Sequence, residues 1–285
     1  MWCLRAIGPI PACPRPLKGR SVPVTLRLTL FSSELANYNY RETARGSTHL
    51  PNQTPLHVIC GLPFEAACLA RALAPGTFRV FLSGANSDRA REVSLDAAKS
   101  MPRGLMSFGI AGGLDPSLKP GTLLIPSEIV TQKEHRHRVT PKWHEAVTDA
   151  ARARGLCVNT DKLLGMSDVI SSVGRKAELY TTHGAVAVDM ESQAVAEAAQ
   201  AHNVPFLVIR AIADPAHRRL PEAALNAIDA NGKTRLAPIF QGIVKDPLLL
   251  GDLIRLSWDA ARARAALRHA ANQLLPISLD VLGTF

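Results

Sequence analysis

From Leu56 onward the chain alternates short apolar runs with segments whose apolar residues recur every three or four positions. A short apolar run bounded by turn formers reads as a buried strand, and the 3.6-residue recurrence reads as a helix. On that basis strands are expected over 56–60, 78–82, 105–110, 122–126, 185–188 and 206–213. Helices are expected over 64–73, 87–99, 141–154, 191–202 and 248–275. Pro141 opens the third of these and Gly155 follows it, so both its ends are marked. In the fourth, Ala194, Val195, Ala198 and Ala199 form the apolar stripe. Strand–helix alternation of this kind predicts an α/β domain whose largely parallel sheet is covered by helices. There is no internal repeat. No apolar run approaches the roughly 18–20 residues that a spanning helix needs.

Residues 1–54 break the pattern. Five prolines fall within the first 23 residues, the first acid is Glu34, and no hydrophobic period is present. Val22–Phe31 is largely apolar but interrupted by Arg27, a poor match to a secretory signal. The stretch reads as a poorly packed extension; a targeting or membrane-contacting arm is the alternative. The expected organisation is an extension over 1–54, a catalytic domain over 55–275 and a tail over 276–285. The helix over 248–275 is expected to pack on the sheet or on a partner subunit. Its arginines read as a solvated face, with contact to a membrane surface as the alternative.

Charge sharpens this division. The chain of 285 residues carries a net +9, and residues 1–54 hold seven Lys/Arg against two acids. The remainder lacks the clustered basic face with aromatics that nucleic-acid binding calls for. An anionic membrane surface is a partner class that the charge still fits. Cys3, Cys13, Cys60, Cys68 and Cys157 show no metal-type spacing, which suits a reducing cytoplasm. Cys60 and Cys68 lie among apolar residues and read as core.

The candidate chemistry sits at strand ends. Glu191 follows the run Ala185–Val188, and Asp214 follows Phe206–Ala213. Ligands of open α/β sheets bind beyond the carboxyl ends of strands. Ile212, Ala213 and Pro215 should limit solvation of Asp214 and raise its pKa, which suits a general acid. A helix N-cap before Pro215 is the structural alternative. Glu191 can accept hydrogen bonds from two sugar hydroxyls, or can simply complement a helix dipole. Gly109–Gly113 reads as a glycine turn after a strand, open to close approach by a ligand. Ser83-Gly84-Ala85-Asn86-Ser87-Asp88-Arg89 is a second strand-to-helix turn whose free amides and Arg89 suit a phosphate, although Arg89 also fits a solvated helix face. His135-Arg136-His137-Arg138 lacks further ligands for a metal and reads as a solvated loop.

Three of these segments, taken together, resemble the nucleoside phosphorylase and nucleosidase superfamily. They are Gly109-Ile110-Ala111-Gly112-Gly113-Leu114, Val188-Asp189-Met190-Glu191-Ser192 and Arg210-Ala211-Ile212-Ala213-Asp214. Within it, Gly61-Leu62-Pro63-Phe64-Glu65-Ala66 and Gly112-Gly113-Leu114-Asp115-Pro116-Ser117-Leu118 resemble the hopanoid-associated phosphorylases. The resemblance implies a phosphorylase-like α/β fold, a central mixed sheet flanked by helices. It implies Asp214 as the acid that protonates purine N7, and Glu65 as an acid that helps position the nucleophile. Glu65 equally reads as a first-turn helix residue. Glu191 would hold the ribose hydroxyls with Met190 against the sugar, where core packing is the alternative for Met190.

Gly109, Ile110, Ala111 and Gly112 would lie beside base and sugar. Ile110 stands where relatives often carry Ser or Thr, so contacts to the nucleophile must come from elsewhere. Val169 and Ile170 would pair with the purine edge, and Ser83, Gly84 and Arg89 would hold phosphate. The implied reaction is phosphorolysis of adenosylhopane to adenine and phosphoribosyl hopane, with inorganic phosphate as co-substrate and no metal or organic cofactor. A homo-oligomer in the cytoplasm, in peripheral contact with the membrane, would follow. The rivals are a hydrolytic nucleosidase for methylthioadenosine or adenosylhomocysteine, and a purine-binding module without turnover.

Overall fold

Two long neighbouring strands organise the molecule. The computed structural model describes residues 54–225 and 249–284, apart from Arg71 and Leu73, all within a unit spanning Leu50–Phe285. The expected extension over 1–54 lies outside the described residues except for Thr54. In chain order the first elements are β1 (Leu56–Cys60), α1 (Pro63–Leu69), β2 (Phe78–Leu82), α2 (Ser87–Lys99) and β3 (Gly104–Gly113). β4 (Leu123–Leu124), β5 (Glu128–Thr131), β6 (Arg136–Arg138), α3 (Pro141–Ala153), β7 (Val158–Asn159) and β8 (Leu163–Gly165) follow. The last are α4 (Val173–His183), β9 (Ala187–Asp189), α5 (Ser192–His202), β10 (Phe206–Asp214), α6 (Glu222–Leu225) and α7 (Leu249–Leu282).

β3 and β10 run parallel, from Leu105 opposite Phe206 to Gly112 opposite Asp214, with an irregularity between Ile212 and Asp214. The other flank of β3 is shared. β1 runs parallel to its first half, ending with Ile59 opposite Ser107. β9 runs antiparallel to its far end, with Val188 opposite Gly112. Residues 108–111 therefore have no strand partner on that flank, and the carboxyl ends of β1 and β9 both point at the gap. β2 extends the sheet beyond β1, while β8, β5 and β6 extend it beyond β9. β4 pairs antiparallel with β10, and β7 joins β4. The sheet is mixed, as the resemblance implied.

Burial explains the elements. β10 is buried at every position, as a central strand covered on both faces must be. α2 and α5 pack together and bury mostly small residues, among them Ala90, Ala97, Ala98, Ala194, Ala198 and Ala199. α7 packs on α3, α1 and β10, burying Ala263, Leu267, Ala270 and Leu274. No described helix is long and apolar enough to cross a membrane.

Three expectations need correction. Gly109–Gly113 is not a turn, because β10 and β9 both pair with it and carry β3 straight through the glycines. His135–Arg138 is not a loop: Arg136–Arg138 pairs with β5, and His137 is buried with Nδ1 against Gln200 Oε1 at 2.8 Å. α7 does not stop at 275; it continues through Pro276 and buries Leu282, so the expected tail is largely helix end.

Candidate active site

The gap beside β3 is filled by charge. Arg210, midway along β10, is fully buried, and such a guanidinium persists only with matched acceptors. Its Nη2 lies 2.6 Å from Asp189 Oδ2 and 3.4 Å from Glu191 Oε2. The same nitrogen donates to Ser107 Oγ at 2.5 Å and to Ser192 Oγ at 3.3 Å. Ser192 Oγ also donates to Asp189, closing the network at the start of α5. Glu191 is the N-cap residue of α5, and its Oε1 accepts from Ser83 Oγ at 3.4 Å.

Glu65 enters from the opposite strand end. Its Oε2 accepts the Leu62 N–H at 2.8 Å, and its Oε1 accepts the Ile110 N–H at 2.7 Å. One carboxylate thus caps α1 and satisfies an amide that the unpaired edge of β3 leaves free. Glu65 is thus a first-turn helix residue whose carboxylate also reaches β3. The crowding dictates the glycines. A Cβ on Gly109 would collide with Glu65 and Arg210, and one on Gly61 would stand 2.7 Å from Glu191 Oε1.

Burial raises the pKa values of Glu65 and Asp189, with Arg210 opposing it. It pushes Glu191 up to about 7, again against Arg210 and with help from the neighbouring carboxylates.

Asp214 ends β10 across from Gly112 and belongs to a second buried pair. Lys176, fully buried on α4, donates to Asp214 Oδ2, to the Pro215 carbonyl at 3.2 Å and to the Arg218 carbonyl at 3.1 Å. All three ammonium hydrogens have acceptors. Burial pushes Asp214 up to about 6, with Lys176 pulling the other way. Its Oδ1, which carries no bond to Lys176, would stand 3.3 Å from a Cβ on Gly112, so that glycine leaves room at the carboxyl.

The other predicted residues fall as follows. Met190 is half-buried between Asp189 and Glu191, Ile110 and Gly112 are half-buried, and Ala111 is buried. Ile170 packs on the cluster of Leu114, Leu164 and Met166, whereas Val169 is 51% exposed. Ser83 and Gly84 are buried, and Gly84 has φ +70. Three amides of that turn are not free. Ser83 and Ala85 donate to the carbonyls of Cys60 and Gly61, and the Arg89 N–H is capped by Asn86. Arg89 itself is exposed on α2, outside the charge cluster.

The family model of the phosphorylase superfamily matches residues 80–245, more than half of the chain. The chain belongs to the phosphorylase superfamily. The matched stretch contains Ser83, Lys176, Asp189, Glu191, Arg210 and Asp214, while Glu65 precedes it. Among solved structures, the fold is similar to three 5′-methylthioadenosine/S-adenosylhomocysteine nucleosidases. The enzyme from Neisseria meningitidis, in complex with methylthio-immucillin-A, is 18% identical, with a TM-score of 0.55 over 78% of this chain and 100% of that one. The one from Helicobacter pylori, with butyl-thio-DADMe-Immucillin-A, is 15% identical, with a TM-score of 0.55 over 78% and 99%. The Campylobacter jejuni enzyme is 13% identical, with a TM-score of 0.56 over 81% and 100%.

The sequence alone did not single out Arg210, Asp189, Ser107 or Lys176 for this candidate site. Arg210 did carry a signal. A lone charge inside the apolar run Phe206–Ala213 must be paired, and Ser107 inside Leu105–Ile110 invites the same question. Lys176 gave no such sign, because Arg175 and Glu178 beside it make the helix look solvated.

Proposed function

We propose that the protein cleaves the N-glycosidic bond of an adenine nucleoside, with Asp214 as proton donor to the departing base. The observation that carries this reading is the Asp214–Lys176 pair. One carboxyl oxygen is anchored by the buried ammonium, the other is not, and the group titrates near 6 rather than near 4. A carboxyl that still holds a proton close to neutral pH suits general-acid work. As the C1′–N9 bond breaks, its electron pair stays with adenine and the Asp214 proton goes to N7. Glu191, with Met190 beside it, would take the ribose hydroxyls and favour positive charge at C1′. Gly109–Gly112 would face base and sugar, and Val169 and Ile170 the purine edge.

For the finer reading we take phosphate as the attacking group and adenosylhopane as the substrate, giving phosphoribosyl hopane. It is supported by the motifs around Gly61 and Gly112 and by the exposed apolar side chains of Val169 and Val173. Ser83, Gly84 and Arg89 would hold the phosphate, and Glu65 would orient it.

A second reading, hydrolysis, is favoured by one observation. Glu65, Asp189 and Glu191 surround a single Arg210, an acidic setting that suits water better than a phosphate dianion. The two readings separate in one assay. Adenine release from adenosylhopane and from methylthioadenosine is followed in phosphate-free buffer and again with phosphate added. Release from adenosylhopane only with phosphate supports phosphorolysis; release without phosphate supports hydrolysis. Adenine binding without release from either nucleoside would remove the enzymatic reading altogether.

A further inference from the structure

Six large apolar side chains are conspicuously exposed among the described residues, and five of them gather on two segments. Leu250, Ile254 and Trp258 lie on α7 at 48%, 49% and 59% exposure, and Val169 and Val173 flank Ser171. Both segments are tied to the stretch that follows Asp214. Asp259, next to Trp258, pairs with Arg218 at 2.7 Å, and the Arg218 carbonyl accepts from Lys176. The Leu220 N–H donates to the Ser171 carbonyl at 3.0 Å.

The spacing on α7 is regular. Residues 250, 254 and 258 advance about 40° per step, so they form one stripe. Buried Ala263 lies nine positions from Ile254, about 180° around the helix. α7 is therefore apolar on two opposite faces, one on the core and one bare. The bare face is flanked by exposed Arg255, Arg262, Arg264 and Arg268, against a single exposed acid, Asp252, on the same stretch.

We infer that the Leu250–Ile254–Trp258 stripe docks the protein on an anionic lipid bilayer. Aliphatic side chains and a tryptophan on one face, bordered by arginines, match the acyl boundary and headgroups of such a surface. A second copy is the poorer occupant, because a two-fold contact between these faces would set arginines against arginines. The docking concerns the surface alone and holds whichever nucleoside is cleaved.

The test uses the full-length protein and two vesicle preparations, phosphatidylcholine with phosphatidylglycerol and phosphatidylcholine alone. Wild type should co-sediment with the anionic vesicles in a salt-sensitive way, with a blue shift of tryptophan emission that W258F loses. The L250S/I254S/W258S variant should bind at least about tenfold more weakly, with unchanged circular dichroism and oligomeric state. If that variant fails to fold, Arg255→Glu with Arg264→Glu and Arg268→Glu keeps the stripe and should abolish the preference for anionic vesicles. Wild type that ignores vesicles, or variants that bind like wild type, would overturn the docking. A stripe variant that changes oligomeric state would also overturn it, by showing that the face joins copies of the chain.

Discussion

Arg210 and Lys176 are both fully buried cations, yet they serve their carboxylates differently. Arg210 is one cation paired with Asp189 and Glu191 and also under the field of Glu65, and it fastens the end of β9 to the middle of β10. Lys176 serves one acid, Asp214, and spends its other two hydrogens on carbonyls of the following loop. The first arrangement is a framework, short of positive charge, whose acids are pushed upward by burial and by each other. The second is a matched pair that leaves one oxygen of Asp214 unbonded to the ammonium. A planar guanidinium suits the fork-like first task, and a compact ammonium suits the second.

The largest effect should come from breaking the framework. Arg210→Met leaves three buried carboxylates without a cation, a loss of about 3–5 kcal/mol for removing one side of a buried ion pair. The expected outcome is insoluble protein or a large fall in Tm, read by thermal denaturation. A Tm near wild type would mean that the cluster is not the structural centre described here. Glu191→Gln is milder, since it keeps the shape and removes a charge that burial already holds near 7. It should lower kcat more than it weakens the binding of free adenine, measured by calorimetry. Equal losses would move Glu191 from the sugar to the base.

Lys176→Met tests the pair through pH. An acid that must be protonated stops working as pH rises through its pKa, so kcat/KM should fall tenfold per unit above about 6 in wild type. Removing Lys176 removes the charge that opposes burial, so the Asp214 pKa rises and this break moves to higher pH. A break that stays in place would detach Lys176 from the acid, whatever the variant does to stability. The smallest effect belongs to Arg89→Ala. If its side chain reaches phosphate, the KM for phosphate rises with kcat little changed; an unchanged KM leaves Arg89 as the solvated helix residue that its exposure describes.

Much of the scaffold was legible because it depends on local pattern. Leu56–Cys60, Phe78–Leu82 and Ser87–Lys99 form where the apolar spacing places them. Asp214 and Glu191 lie at strand ends as expected. What the pattern could not show was pairing across the sheet. Gly109–Gly113 carries turn residues, but two neighbouring strands hold it extended, so tertiary pairing overrides local propensity. Lys176 lies 38 positions from Asp214 in the chain, and a helix that looks solvated gives no hint that one of its lysines points inward.

The proposed role of Asp214 is to hand its proton to the leaving base. It is tested most directly by adenine release from a bound adenine nucleoside in wild type and Asp214→Asn, followed in a single turnover at matched saturation. The variant keeps the shape and loses the transferable proton. Release should slow by about 10²–10⁴-fold, with adenine binding and circular dichroism retained. Release at close to the wild-type rate, with the fold intact, would contradict the account.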